Sequence, residues 1–345
     1  MLLSGKDFSI AFTVAFVITV AITPMMRMLA LRIGITDKPN QSHKTHVLPV
    51  PYLGGLAIVL GTATVTYGSA LLTNSSRQTL LLASTILIPA LLMAIIGLID
   101  DIRQLKPWPR FLIQNLIALV AVSILVSTNT IGSPSRILIL DFIITLVWLV
   151  GITNSINFFD NIDGGASGTV AISALALTLI AISNGQSLIA AMSAVLAGAV
   201  IGFLLWNKPP ARIYMGDAGA LFLGILMASL SIRLDTKSEM GKLGLLIPIL
   251  LLAVPILDTS VAVVKRLWRK VSPFQGGKDH LSHRLVRLGI DRRVTVLILW
   301  LLTFFFASAA VLAHLFFELV GIEILLICVI AWFALFIFFL LQEDN

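Results

Sequence analysis

Eleven apolar runs of about membrane-spanning length follow one another along the chain, at 8–30, 52–73, 79–99, 109–127, 137–153, 166–183, 188–206, 217–233, 244–264, 294–317 and 321–341. Short polar segments between them hold most of the charge. The runs lack the alternation of barrel strands, and irregular backbone in hydrocarbon leaves N–H and C=O groups unpaired, so each run predicts an α-helix. The first run is too long for the apolar region of a signal peptide, no small-residue cleavage site follows it, and it reads as a membrane helix. The run at 137–153 is short and begins near Asp141, and only a narrow break separates 166–183 from 188–206. The expected fold is all-α, a polytopic integral membrane protein with about 11 transmembrane helices. No internal repeat or low-complexity linker divides the chain, so 1–345 reads as a single domain.

Composition removes the soluble alternative. Of 345 residues, 58% are hydrophobic and 12% charged, against roughly 25% charged in an ordinary soluble domain. A mean hydropathy of +1.01 means more apolar surface than one core can bury, and lipid must solvate the rest. The net charge of +7 would suit nucleic acid, but basic residues thinned along apolar runs fit loops at an anionic membrane surface instead. Nucleic acid is therefore not an expected partner; membrane lipid is. The single cysteine, Cys328, lies inside an apolar run, so no intramolecular disulfide forms and no redox compartment follows.

The basic residues divide unequally between the two sides. Arg27, Arg32, Lys38 and Lys44, then Arg103, Lys106 and Arg110, then Lys208 and Arg212, and nine residues from Lys265 to Arg293 border alternate loops and make up 18 of the 24. The other side has Lys6, Arg77, Arg136, Arg233, Lys237 and Lys242. Lys and Arg accumulate on the cytoplasmic side, which places the N-terminus outside and the C-terminus inside a cell (inner) membrane. Acids gather on the same side: Asp37, Asp100, Asp101, Asp160, Asp163, Asp217, Asp279 and Asp291, with Asp258 within about two turns of it. A transporter would place ionisable groups nearer the midplane, often in two similar halves. The distribution predicts a shallow active site at the cytoplasmic face.

Four loops carry candidate chemistry. Asp100 and Asp101 close the third run, where the helix dipole and their mutual repulsion both call for a cation; Arg103 and Lys106 as solvated counter-charges are the plain explanation, but paired acids at a membrane surface are costly without a function, which favours a functional role. In Asn154-Ser-Ile-Asn157-Phe-Phe-Asp160-Asn161-Ile-Asp163-Gly-Gly, Asp163 serves equally well as a cap and turn before the next helix, but Asn157, Asp160 and Asn161 also supply oxygen ligands for Mg²⁺ and hydrogen-bonding groups for a nucleobase. Asp217, in Met-Gly-Asp-Ala-Gly, either caps the eighth helix or holds a metal beside a phosphate at its N-terminus, and spacing does not separate the two. In Lys278-Asp-His280-Leu-Ser-His283-Arg284-Leu-Val-Arg287, the basic residues follow i, i+3, i+4, i+7 spacing and predict one cationic, phosphate-binding stripe on a helix. Arg266, Arg269 and Lys270 read as resting on anionic lipid, and two His without a third ligand argue against zinc. Ahead of the second run, Lys44 and His46 precede Pro49-Val-Pro51-Tyr-Leu-Gly54-Gly55, whose Pro and Gly residues have packing roles.

From about Asp37 to Arg287, these segments in this order resemble the polyprenyl-phosphate N-acetylhexosamine-1-phosphate transferases. The resemblance implies transfer of a sugar-1-phosphate from a UDP-N-acetylhexosamine to undecaprenyl or another polyprenyl phosphate at the inner leaflet, with Mg²⁺ (Mn²⁺ as substitute) and release of UMP, as the first lipid-linked step of cell-envelope glycan synthesis. Carried over by motif, Asp100 and Asp101 match the paired acids near the lipid phosphate. Asn157, Asp160 and Asp163 match the segment meeting metal and nucleotide, Asp217 the metal-binding Met-Gly-Asp, and His280 and His283 the histidine motif. Pro49 to Gly55 and Pro-Ile-Leu-Asp258-Thr look more like the N-acetylglucosaminyl branch than the muramoyl-pentapeptide branch, which stays the alternative. Ser282 replaces a third His of the motif, and Gln104 a basic residue after the paired acids; Arg110 matches a basic position of the N-acetylglucosaminyl branch. A CDP-alcohol phosphotransferase would need an Arg after Ala166, where this chain has Ser167. A transporter would bind substrate without releasing UMP.

On this reading Asp100, Asp101 and Asp217 are catalytic, and Asp217 and Asn157 hold the metal. Lys44, Arg110, His280, His283 and Arg284 offset phosphate charge, and Asp160 and Asp163 meet the nucleotide. A lipid phosphate carrying roughly −1.5 to −2 is more basic than a carboxylate of pKa about 3.9, which favours its direct attack over a covalent aspartyl relay. A homodimer is compatible with the sequence and not required by it.

Overall fold

The computed structural model describes residues 5–37, 50–132, 135, 137–236, 243–273 and 277–342. Lys44 and His46 lie outside them. All eleven apolar runs form helices: α1 (Gly5–Ile33), α2 (Gly54–Leu72), α3 (Arg77–Arg103), α4 (Pro107–Ser127), α5 (Leu138–Phe159), α6 (Gly165–Ser183), α7 (Ser187–Asn207), α8 (Gly216–Ile232), the pair α9 (Leu246–Leu251) and α10 (Ala253–Trp268), α12 (Arg292–Leu315), and α13 (Ile322–Leu341), which a π turn at Phe317–Gly321 precedes. A short α11 (Leu281–Arg287) lies between α10 and α12, and β1 (Thr36–Asp37) pairs antiparallel with β2 (Val50–Pro51). The chain is a multi-pass membrane protein.

The spans differ from the expected eleven in two places. Among the described residues nine helices are long and apolar enough to cross a membrane, ten if α9 and α10 count as one. The first exception is α8, with 17 residues. It packs against α2, α3 and α5, and every residue from Ala218 to Ile232 is buried, so protein rather than lipid surrounds it. The second is the run at 244–264, which bends by 82° between α9 and α10. Pro255 has no N–H to continue the ladder back to Leu251. The freed Leu251 carbonyl finds another donor in Ser173 Oγ at 2.5 Å, and Trp332 Nε1 donates to Ala253 O at 3.0 Å at the start of α10. Burial grades outward from α6, with 78% of its most apolar stretch enclosed, to α13 with 17%.

Local sequence sets the helix ends that matter. Ser76 caps α3 by accepting from Thr79 N at 3.1 Å. At its far end Gln104 adopts a left-handed conformation (φ 49°), which stops the helix just after Asp100 and Asp101, and Pro107 opens α4 at once. Two glycines let α8 begin against its neighbours: a Cβ on Gly97 of α3 would stand 2.3 Å from Asp217 O, and one on Gly55 of α2 would stand 2.3 Å from Gly219 N.

Candidate active site

The ends of α3, α4, α5 and α8 meet at one end of the bundle. Asp100 accepts from Leu105 N at 2.7 Å and from Arg110 Nη1. The same Nη1 donates to Asp217 Oδ2 at 3.0 Å, and Asn157 Nδ2 donates to Asp217 Oδ1 at 2.6 Å. Asp101 accepts from Asp217 N at 2.8 Å and Ala218 N at 3.1 Å. The paired acids thus have different tasks. Asp101 holds the first turn of α8, satisfying two of its open donors, whereas Asp100 shares a cation with Asp217. The Asp100 side chain is 6% exposed and that of Asp217 30%, so Asp217 is the acid a ligand can reach. Arg110 is the cation between them, while Arg103 and Lys106 remain exposed.

The 157–165 segment is clamped from several sides. Asp163 Oδ2 accepts from Ala211 N at 2.9 Å and so tethers the loop leading to α8. Asn207 Oδ1 accepts from Gly164 N at 3.1 Å and Ser167 Oγ at 2.8 Å, and Trp300 Nε1 donates to Gly164 O at 3.0 Å. Gly164, left-handed at φ 71°, occupies the cap position of α6 that the sequence offered to Asp163. Burial, reinforced by the charges of Asp217 and Asp163, pushes the Asp160 carboxyl up to about 7.

The histidine segment reaches this face by another route. His280 stacks edge-on to Phe158 at 6.4 Å between ring centroids, and Ser282 donates to Asn161 Oδ1. The predicted four-residue stripe does not form. α11 has only seven residues and starts after His280. Arg284 is 1% exposed and turns away from the acids: Nε donates to Asp279 O at 2.9 Å, and Nη1 to Phe339 O at 3.1 Å and Gln342 O at 3.2 Å, binding the end of α13. Arg287 Nη2 bonds Lys278 O at 3.0 Å. His283 is neutral near pH 7, because burial, aided by His280, Arg287 and Lys278, lowers it to about 4.

Arg266 does not rest on lipid; it is 3% exposed, with Nε on Asp279 Oδ2 at 2.9 Å and Nη1 on Pro273 O at 2.8 Å. Arg269 adds a bond to Asp279 Oδ1 at 3.1 Å. Burial raises the Asp279 carboxyl, but the two guanidinium groups outweigh it and hold the pKa below the usual range. Sequence reasoning missed this pairing, and it missed that Asp258 contacts His280 at 2.7 Å. An acid alone in an apolar helix was the available signal for Asp258.

Among the described residues no three His, Cys, Asp or Glu side chains converge as a metal cage. Mg²⁺ does not need one, since it binds through one or two carboxylates, water and substrate phosphate. Asp100 and Asp217 share one Arg, a donor set of oxygens with an excess of negative charge that suits this ion.

A probable undecaprenyl-phosphate N-acetylglucosaminyl 1-phosphate transferase of Bacillus subtilis (strain 168) is 34% identical to this chain over 337 residues, which cover 96% of this chain and 88% of the relative. A decaprenyl-phosphate N-acetylglucosaminephosphotransferase of Mycolicibacterium smegmatis is 33% identical, with 86% and 79% covered. A phospho-N-acetylmuramoyl-pentapeptide-transferase of Streptococcus equi subsp. zooepidemicus is 29% identical, with 80% and 85% covered. The model of glycosyl transferase family 4 matches residues 83–235, a stretch that contains Asp100, Asp101, Arg110, Asn157, Asp160, Asp163 and Asp217. With its acid cluster inside the matched segment and its relatives aligned over most of their length, the chain belongs to glycosyl transferase family 4.

Proposed function

We propose that this chain transfers N-acetylglucosamine-1-phosphate from its UDP-sugar to undecaprenyl or another polyprenyl phosphate at the cytoplasmic leaflet. A phosphate oxygen of the lipid bonds to the sugar-linked phosphorus, the bond to the inner phosphate breaks, and UMP leaves with the electron pair. The observation that carries this reading is the Asp100–Arg110–Asp217 cluster with Asn157, placed at the ends of membrane helices where a lipid-borne phosphate arrives. The relatives of higher identity are named for N-acetylglucosamine, which favours that sugar over the muramoyl-pentapeptide.

Two anionic substrates must approach, so the task is to offset charge and to align the groups. Asp217 and Asn157, with Asp100 alongside, are the residues to hold Mg²⁺, which supplies charge neutralisation at the diphosphate. Arg110 bonds both acids and is the cation there to meet a substrate phosphate, a task for which the sequence also offers Lys44. Asp100, tied to Leu105 N and Arg110, is poorly disposed to act as a nucleophile, which supports direct attack by the lipid. Asp160 and Asp163 line the side proposed for the nucleotide. With α8 and the bent α9–α10 pair counted as crossings, the chain passes the membrane eleven times, with its N-terminus outside. The test is UMP release by purified protein with Mg²⁺ and UDP-N-acetylglucosamine. We expect UMP only after undecaprenyl phosphate is added. No UMP with any UDP-N-acetylhexosamine would overturn the reading, and enzyme-stoichiometric UMP without lipid would overturn direct attack.

A further inference from the structure

A buried carboxylate of a membrane helix holds the start of the histidine segment. Asp258 of α10 is fully buried, and both of its oxygens are engaged: Oδ2 with His280 Nδ1 at 2.7 Å and Oδ1 with Leu281 N at 2.7 Å. The first contact requires a proton on Nδ1, because a carboxylate has no hydrogen to give. On the opposite side of the ring, Nε2 faces Arg266 Nη2 at 3.4 Å. A guanidinium has donors and no acceptor, so Nε2 must present its lone pair there. The second contact caps α11 at its first residue. Arg266 in turn takes its ion pair from Asp279, which leaves Asp258 to the histidine segment alone.

We propose that Asp258 is the positioning residue of this segment: it fixes His280 as the neutral Nδ1–H tautomer and seats α11 so that His280 stays against Phe158 and Ser282 reaches Asn161. The proposal rests on the reading of that face as the sugar-phosphate transfer site. It also moves phosphate contact away from His280, whose bare Nε2 repels an anionic oxygen. Asp258 is fully buried and does not reach a substrate, so its effect on the reaction passes through His280.

The experiment uses the full chain in detergent, labelled with ¹⁵N-histidine, with the His280 signals assigned by their loss in His280→Gln. We expect a protonated Nδ1 and a bare Nε2 in the wild type. In Asp258→Asn the amide oxygen still accepts from Leu281 while the NH₂ faces Nδ1, so the proton moves to Nε2. An acceptor that fixes the tautomer of a metal-ligating histidine is worth about 10- to 10²-fold in activity, and the same factor is expected for His280: UMP release should fall by it in kcat, with KM for the UDP-sugar and Tm little changed. Added to His280→Gln, the same substitution should cost nothing further. A wild-type His280 protonated on Nε2, or losses that multiply in the double variant, would overturn the proposal. The wild-type spectrum is read without turnover, so it decides the tautomer even if the substrate reading fails or Asp258→Asn does not fold.

Discussion

Gly97 is where a single methyl group tests the site without touching its chemistry. A Cβ there would lie 2.3 Å from Asp217 O, 2.4 Å from Asp217 C and 2.5 Å from Ala218 N. All three are backbone atoms of the first turn of α8, so no rotamer change relieves the contact, and α8 must retreat by about 1 Å to restore van der Waals separation. That retreat strains the bonds at 2.8 and 3.1 Å from Asp101 to α8 and shifts Asp217 against Arg110 and Asn157. Overpacking of this kind costs roughly 1–3 kcal/mol of stability, and a misplacement of about 1 Å at a reacting centre costs about 10²-fold in rate. Gly97→Ala should therefore lower Tm and reduce UMP release by about that factor, seen mainly in kcat. Gly151→Ala is the control: it lies in α5 with nothing within 4 Å of the added Cβ, and exchange of Gly for Ala in a helix is neutral to stabilising by up to about 1 kcal/mol. Wild-type turnover and Tm in Gly97→Ala would show that the α3–α8 contact does not position Asp217.

Asp217→Asn should fold but lose more than about 10²-fold in turnover, or roughly 2.7 kcal/mol of transition-state stabilisation; near-normal activity would return Asp217 to a helix cap. Cysteines at Ser75 and Lys270 should label from opposite sides of sealed vesicles, and labelling from one side would refute the orientation. The pKa of His283 is lowered from 6.5 to about 4, so its neutral form contributes stability above pH 6.5 that is lost as pH falls towards 4. The Tm of the wild type should accordingly drop relative to His283→Gln over that interval, and parallel Tm curves would contradict it.

The helices were legible because lipid imposes one rule on every run: twenty or so apolar residues with all backbone groups paired internally. The bend was not. Pro24 and Pro89 lie inside unbroken α1 and α3, while Pro255 follows a break, and the donor that meets the carbonyl left open there, Ser173 Oγ, comes from a distant helix that no local pattern contains. The residues that the structure brings together at the candidate site were readable where polar groups stood out in an apolar chain, as at Asp100, Asn157 and Asp217. The basic stripe at 280–287 misled because helical spacing gives direction only when the helix is long and its outer face free. Here α11 is seven residues, and Arg284 faces the carbonyls of α13 rather than the acids.

The enclosure of α8 separates the candidate site from the thickness of the surrounding bilayer. Hydrophobic mismatch acts on helices that touch lipid, which adjust by tilting; α1 and α3, at 29 and 27 residues, have length to spare for that. α8 shares no such boundary from Ala218 to Ile232. The depth of Asp217 is then fixed by glycine contacts with α2 and α3, and lipid enters only through whatever tilt the outer helices pass inward. Turnover measured in bilayers of graded acyl length should stay nearly flat; a sharp optimum would mean that the outer helices and α8 move as one.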